Sequence, residues 1–146
     1  MRAPTRLTAM ALLLSTTIAA AQAGIDWMGD DEIRKTFAGI TINGVYIDGI
    51  RFTESYADGG GISYRDPRKA MSGRWSVINQ SFCTLYDEHV TGGCFKVSRH
   101  SSNCYEFYFL AGTEVEAAKP EGARPSWTAR GWDQAKPTTC DEKPAV

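Results

Sequence analysis

Histidine is nearly missing from this 146-residue chain: His89 and His100 are the only two. Neither stands at ligand spacing to a cysteine and no C-x-x-C occurs, so the sequence gives no reason to expect a metal. The G-x-S-x-G, H-E-x-x-H, P-loop and Rossmann fingerprints are absent too. No catalytic residue and no cofactor is therefore assigned. Catalytic groups meet in space rather than in sequence, so these absences withhold support from an enzyme without excluding one. Basic side chains form no block or stripe, which argues against nucleic acid and anionic lipid as partners. The apolar run Leu7–Ala21 is fifteen residues long, short of the roughly 20 that a spanning helix requires.

That run is instead placed like the core of a secretory signal. Arg2 and Arg6 precede it and Ala21-Gln22-Ala23 closes it as a small-x-small cleavage site, so residues 1–23 read as a cleaved leader. Gly24 rather than cysteine follows, which gives no lipid attachment and leaves no stable membrane anchor. Losing Arg2 and Arg6 would leave 14 basic side chains against 17 acidic, a net charge of −3. The expected location is periplasmic or secreted. The four cysteines, Cys83, Cys94, Cys104 and Cys140, all lie beyond the leader, and an even count in an oxidising compartment argues for two disulfides. With every thiol oxidised, a Cys–His nucleophile is hard to assemble.

The centre of the chain, residues 73–109, reads as four antiparallel strands. A two-residue turn at Asn79-Gln80 sets Val77 opposite Phe82 and Trp75 opposite Thr84. A loop over Asp87–Thr91 sets Phe82 opposite Phe95 and Cys83 opposite Cys94. A polar turn at Arg99–Asn103 sets Val97 opposite Tyr105, Phe95 opposite Phe107 and Lys96 opposite Glu106. With side chains alternating at period two, Trp75, Val77, Phe82, Phe95, Val97, Tyr105, Phe107 and Phe109 share one face and Cys83, Cys94 and Cys104 the other. Opposed residues lie close enough for a disulfide, which favours Cys83–Cys94 and leaves Cys104–Cys140.

Upstream, Asp30–Gly39 reads as a short helix with Asp30 as N-cap, Gly39 as its stop, and Ile33 and Phe37 on one face covering an open end of the sheet. Asp48-Gly49 is a two-residue hairpin signal that puts Val45 opposite Phe52 and Ile47 opposite Ile50, and Asn43-Gly44 suggests a bulge or corner. Asp58–Gly61 is a further turn, and Asp66–Ser72 a polar connection. Glu54 lies between Phe52 and Tyr56 on the inward face, where a carboxylate needs a partner. Arg99 is the candidate; the two form either the polar anchor of a ligand cavity or a pair near the sheet's open end, unless a bulge turns Glu54 out to solvent. His89 and His100 fall in a loop and a turn and are expected to be exposed. Residues 110–146 carry Pro120, Pro125, Pro137 and Pro144 and no strand or helix period, so an irregular segment is expected, tied back through Cys140, with Trp127 or Trp132 packed on the sheet.

The order of DDEIRKTFAG, an N-G…Y…DG segment, G-x-W-x-V and a cysteine pair ahead of Y-E-F-Y resembles a family of small exported bacterial proteins of uncharacterised function, over roughly Asp30–Phe109. Gly73-Arg74-Trp75 is also similar to the G-x-W of lipocalins, where it opens the barrel; here it lies mid-chain. Neither resemblance implies catalytic residues.

These readings converge on an all-β fold, an antiparallel meander of six to eight strands in a strongly curved sheet or small barrel, with one short N-terminal helix. Residues 24–109 form the helix-plus-meander domain. The expected function is an exported, non-enzymatic binding or interaction module of the bacterial envelope, whose partner is a small ligand or an envelope protein. Glu54, Tyr64, Trp75, Arg99 and Tyr105 are the candidate ligand-binding residues, with Phe95 and Phe107 in the same aromatic lining. A small hydrolase or isomerase using Glu54 with Arg99 or a histidine, and a protein inhibitor acting through its outer surface, are the alternatives.

Overall fold

A computed structural model describes residues 24–87, 91–111, 114–115 and 126–141; the leader and His89 lie outside them. One helix, α1 (Asp30–Phe37), precedes nine strands: β1 (Thr41–Tyr46), β2 (Arg51–Tyr56), β3 (Gly61–Arg65), β4 (Ala70–Ile78), β5 (Ser81–Tyr86), β6 (Thr91–Ser101), β7 (Cys104–Ala111), β8 (Glu114–Val115) and β9 (Ala129–Asp133). Strands β1 to β7 pair in sequence order, and β9 fills the gap between β7 and β1. Eight strands thus close an up-and-down antiparallel barrel that leaves none of its own edges open. The two-residue β8 pairs only with the end of β7.

The β4–β5 and β5–β6 registers are those the sequence implies: Val77 opposite Phe82, Phe82 opposite Phe95, Cys83 opposite Cys94. Asn79 and Gln80 both have positive φ, 49° and 59°, the backbone a tight two-residue hairpin requires. Disulfides join Cys83 to Cys94 and Cys104 to Cys140.

Five expectations are corrected. Val97 lies opposite Phe107 and Phe95 opposite Phe109, two residues from the expected β6–β7 pairing, and Lys96 faces Tyr108 rather than Glu106. The turn is tighter than the polar run suggested, with Ser101 opposite Cys104 and a bulge between Arg99 and Ser101. In the first hairpin Gly44, not Val45, lies opposite Phe52, because the Tyr46 amide bonds to Ile50 and the loop holds three residues, closed by Gly49 at φ +87°. Gly44 therefore sits within a regular ladder and marks no bulge. Finally, the segment expected to be irregular supplies β9, the strand that closes the barrel.

Helix α1 plugs one end. Its N-cap is Gly29, and Asp30 instead accepts a hydrogen bond from the Gln80 amide, tying the helix to the β4–β5 turn. Arg34 donates to the Val77 carbonyl, and Gly39, at φ +76°, turns the chain into β1. Ile33 and Phe37 are fully buried, and the Phe37 ring lies 5.2–5.8 Å from those of Tyr56, Phe82, Tyr105 and Phe107. At this end the barrel is solid.

Candidate functional site

Beyond that packed layer, toward the end opposite the helix, the interior opens into a cavity of about 190 Å³. The closing strands place its wall. Ile42 and Tyr46 of β1, Phe52, Glu54 and Tyr56 of β2, and Phe82, Thr84 and Tyr86 of β5 alternate inward at period two, and Gly92, Phe95, Phe107 and Ala129 complete it. Each is apolar or aromatic except Glu54 and Thr84.

Glu54 is 6% exposed. It accepts hydrogen bonds from the Tyr56 hydroxyl, at 2.6 Å, and from the Tyr86 hydroxyl. Tyr56 comes from its own strand, Tyr86 from across the barrel. Burial penalises the charged carboxylate and pushes its pKa up to about 7, against the two phenols, which pull it down. Burial, and then the charge of Glu54, raise both tyrosines well above their ordinary value, so both remain donors. A second relay lies beside the first. Tyr46 donates to the Tyr64 oxygen at 3.3 Å, and Tyr64 donates to Asp66 at 2.9 Å.

Of the sequence-predicted residues, Glu54 therefore lines the cavity, and Tyr64 backs it through Tyr46. Trp75 does not reach it: its ring stacks on Phe82 at 5.7 Å and its indole N–H donates to the Ala57 carbonyl. Tyr105 belongs to the packed layer under Phe37. Arg99 is corrected as a partner for Glu54. Its guanidinium lies over the Tyr105 ring, donates to the Tyr105 hydroxyl at 3.1 Å and pairs with Glu32 of the helix at 3.3 Å, because the β5–β6 register carries it past the start of β5 to the plugged end. Nor does a bulge turn Glu54 out to solvent. His100 is not exposed as expected: its ring is 9% exposed and lies 3.2 Å from Glu106, on the outer face, with Arg130 donating to the same carboxylate at 2.6 Å. Neither Arg99 nor His100 thus accompanies Glu54 as an acid–base partner.

Tyr46 and Tyr86 were not singled out by sequence. Tyr86 follows Phe82 and Thr84 at period two and was legible on that ground. Tyr46 was hidden by the one-residue error in the first hairpin. Trp127 and Trp132 are both half-buried on the outside; the Arg130 guanidinium lies 4.7 Å over the Trp127 ring. Among the described residues no group of His, Cys, Asp and Glu is arranged to hold a metal ion, and no helix is long and apolar enough to cross a membrane. No protein-family profile matches the sequence, and no curated protein is significantly similar to it.

Proposed function

We propose that this chain is an exported, non-enzymatic binding module of the bacterial envelope that takes up one small molecule inside its barrel. The observation that carries the reading is the cavity itself: about 190 Å³ of space beside a buried carboxylate, at one end of an interior whose other end is fully packed. An apolar cavity with a few convergent polar groups and a titratable residue of perturbed pKa is the usual form of a small-molecule site. Its size exceeds the roughly 150 Å³ apolar cavity that takes up benzene, which allows one six-membered ring with a short substituent. The leader-like first 23 residues and the two disulfides suit the periplasm or the exterior, where thiols are oxidised.

Thermal unfolding in the presence of small aromatic probes tests the reading. A ligand that binds only the folded state raises Tm with concentration. Ala129 faces the cavity, so Ala129→Phe should fill it, keep the fold and abolish the rise. A wild-type Tm unmoved by every probe, or a rise that survives in the filled variant, would remove the barrel interior as the site.

A further inference from the structure

The hydrogen-bond direction around the cavity, and not only its shape, selects among ligands. We infer that the ligand is a small organic ammonium ion with an apolar body, its charged nitrogen set against Glu54; this rests on the cavity being the binding site.

Tyr56 and Tyr86 spend their hydroxyl protons on Glu54, and Tyr46 spends its proton on Tyr64. Every tyrosine hydroxyl at the wall thus donates away from the open space, toward the Glu54 or the Asp66 carboxylate. With Glu54 ionised, as above about pH 7, what remains turned to the cavity is acceptor capacity: a carboxylate has about four lone-pair sites, of which two are used here, and the phenol oxygens keep theirs. No Lys or Arg among the described residues bonds to Glu54.

The remaining wall acts in the same sense. Tyr46, Phe52, Phe82, Tyr86, Phe95 and Phe107 present rings, and an aromatic face carries the negative lobe of its quadrupole. An anion would find no cationic side chain and no uncommitted tyrosine proton among the described lining residues. A neutral hydrocarbon would fit but leave the carboxylate unused. A primary ammonium offers three donors and a positive charge to a site that has acceptors and no compensating cation. It would restore the ionised form of a group that burial otherwise drives toward neutrality. The groups that face Glu54 are Tyr56 of its own strand, Tyr46 and Tyr64 of the two neighbouring strands and Tyr86 from across the barrel, with Asp66 behind Tyr64. The four tyrosines are phenols that stay protonated near neutral pH, so Glu54 is the one of these groups that changes charge across it.

Isothermal titration of the wild type with three matched probes, phenethylamine hydrochloride, 2-phenylethanol and ethylbenzene, separates the possibilities. The amine should bind at least tenfold tighter than either neutral probe at pH 8. With Glu54 titrating at about 7, its affinity should fall about thirtyfold between pH 8 and pH 5.5, while those of the neutral probes should not fall. Glu54→Gln should cost the amine at least about thirtyfold at pH 8 and spare 2-phenylethanol, which also shows that the variant is folded. If that variant does not fold, the wild-type pH series decides alone. Amine affinity that is flat or falls as pH rises, or that only equals that of the alcohol, would overturn the ammonium assignment and leave the cavity in place. Failure of all three probes to bind would overturn both.

Discussion

Gly44 lies directly opposite Phe52 in the first hairpin, and the Phe52 ring occupies the space that a Cβ at position 44 would need. The ring lies across the glycine because both residues face inward on neighbouring strands, where Tyr46 and Tyr64 flank it at 4.6 and 5.9 Å. Gly44→Ala should therefore cost about 1–3 kcal/mol in urea unfolding, as overpacking of a closed core does. It should also weaken ligand uptake where the displaced ring enters the cavity that Phe52 lines. Phe52→Leu in the same chain should recover most of the stability. A Gly44→Ala variant as stable as the wild type would show that this ring is loosely held.

The same pair shows why part of the barrel could not be read in advance. Strand direction and facing were legible where large apolar residues alternate, as in Trp75, Val77 and Phe82, Phe95. They were illegible where the interior demands small ones. In β9 the buried positions are Ala129, Gly131 and Asp133, and a Cβ on Gly131 would come within 2.8 Å of Ile42 Cδ1 and 3.3 Å of Phe107 Cε2. The closing strand carries no apolar signature because its neighbours already fill the space. The shift of β6 against β7 escaped for a different reason. Moving a pairing by two residues leaves every side chain on its original face, so alternation cannot detect it. Glu54 was legible as a lone carboxylate in an inward series. Its partners were not, because Tyr86 arrives from across a barrel whose closure the sequence left open.

The two disulfides should contribute unequally. Cys104–Cys140 spans 36 residues and Cys83–Cys94 spans 11, which on the chain-entropy account gives about 4 and about 3 kcal/mol. The longer one also holds a segment that the fold uses. Near Cys104, the Asn103 side chain donates to the Asp133 and Pro137 carbonyls and accepts from the Asp133 amide, so the chain after β9 is wrapped under the β6–β7 turn. Cys104→Ala/Cys140→Ala should lower the urea midpoint more than Cys83→Ala/Cys94→Ala. The reverse order would mean that the wrapped segment stays in place without its covalent tie.

Phe37 should be the most costly side chain of the helix to truncate. It is fully buried and is the only helix side chain whose ring sits among Tyr56, Phe82, Tyr105 and Phe107. Phe37→Ala should cost about 3–5 kcal/mol, the usual range for a buried phenylalanine, and Phe37→Leu clearly less. An Arg34→Ala change, which removes a bond from a half-exposed side chain to the Val77 carbonyl and two solvent-exposed ion pairs at 3.8 Å with Asp30 and Asp31, should cost about 1 kcal/mol. Chemical denaturation of the three variants orders them. Equal losses for Phe37→Ala and Arg34→Ala would mean that the plug is held at its rim and not by its ring.

Glu54 makes stability depend on pH in a direction opposite to that of a salt-bridged carboxylate. In the folded chain it keeps its proton up to about pH 7, whereas in the unfolded chain it releases it near the ordinary value of 4.5. Between those values the native state binds more protons than the unfolded one, so this residue's contribution falls as pH rises through the window and is constant above it. The full change is about 3 kcal/mol. Asp66 and Asp133, whose pKa values are lowered, act in the other sense at lower pH, so the wild-type curve alone does not isolate the effect. The difference between wild type and Glu54→Gln does. Relative to wild type, the glutamine variant should gain stability steadily from pH 4.5 to pH 7 and then hold level, as read by urea unfolding at half-unit steps. A difference that is flat across that range would mean that the carboxylate reaches water in the folded state, and that its two phenol partners are an arrangement of the surface rather than of the interior.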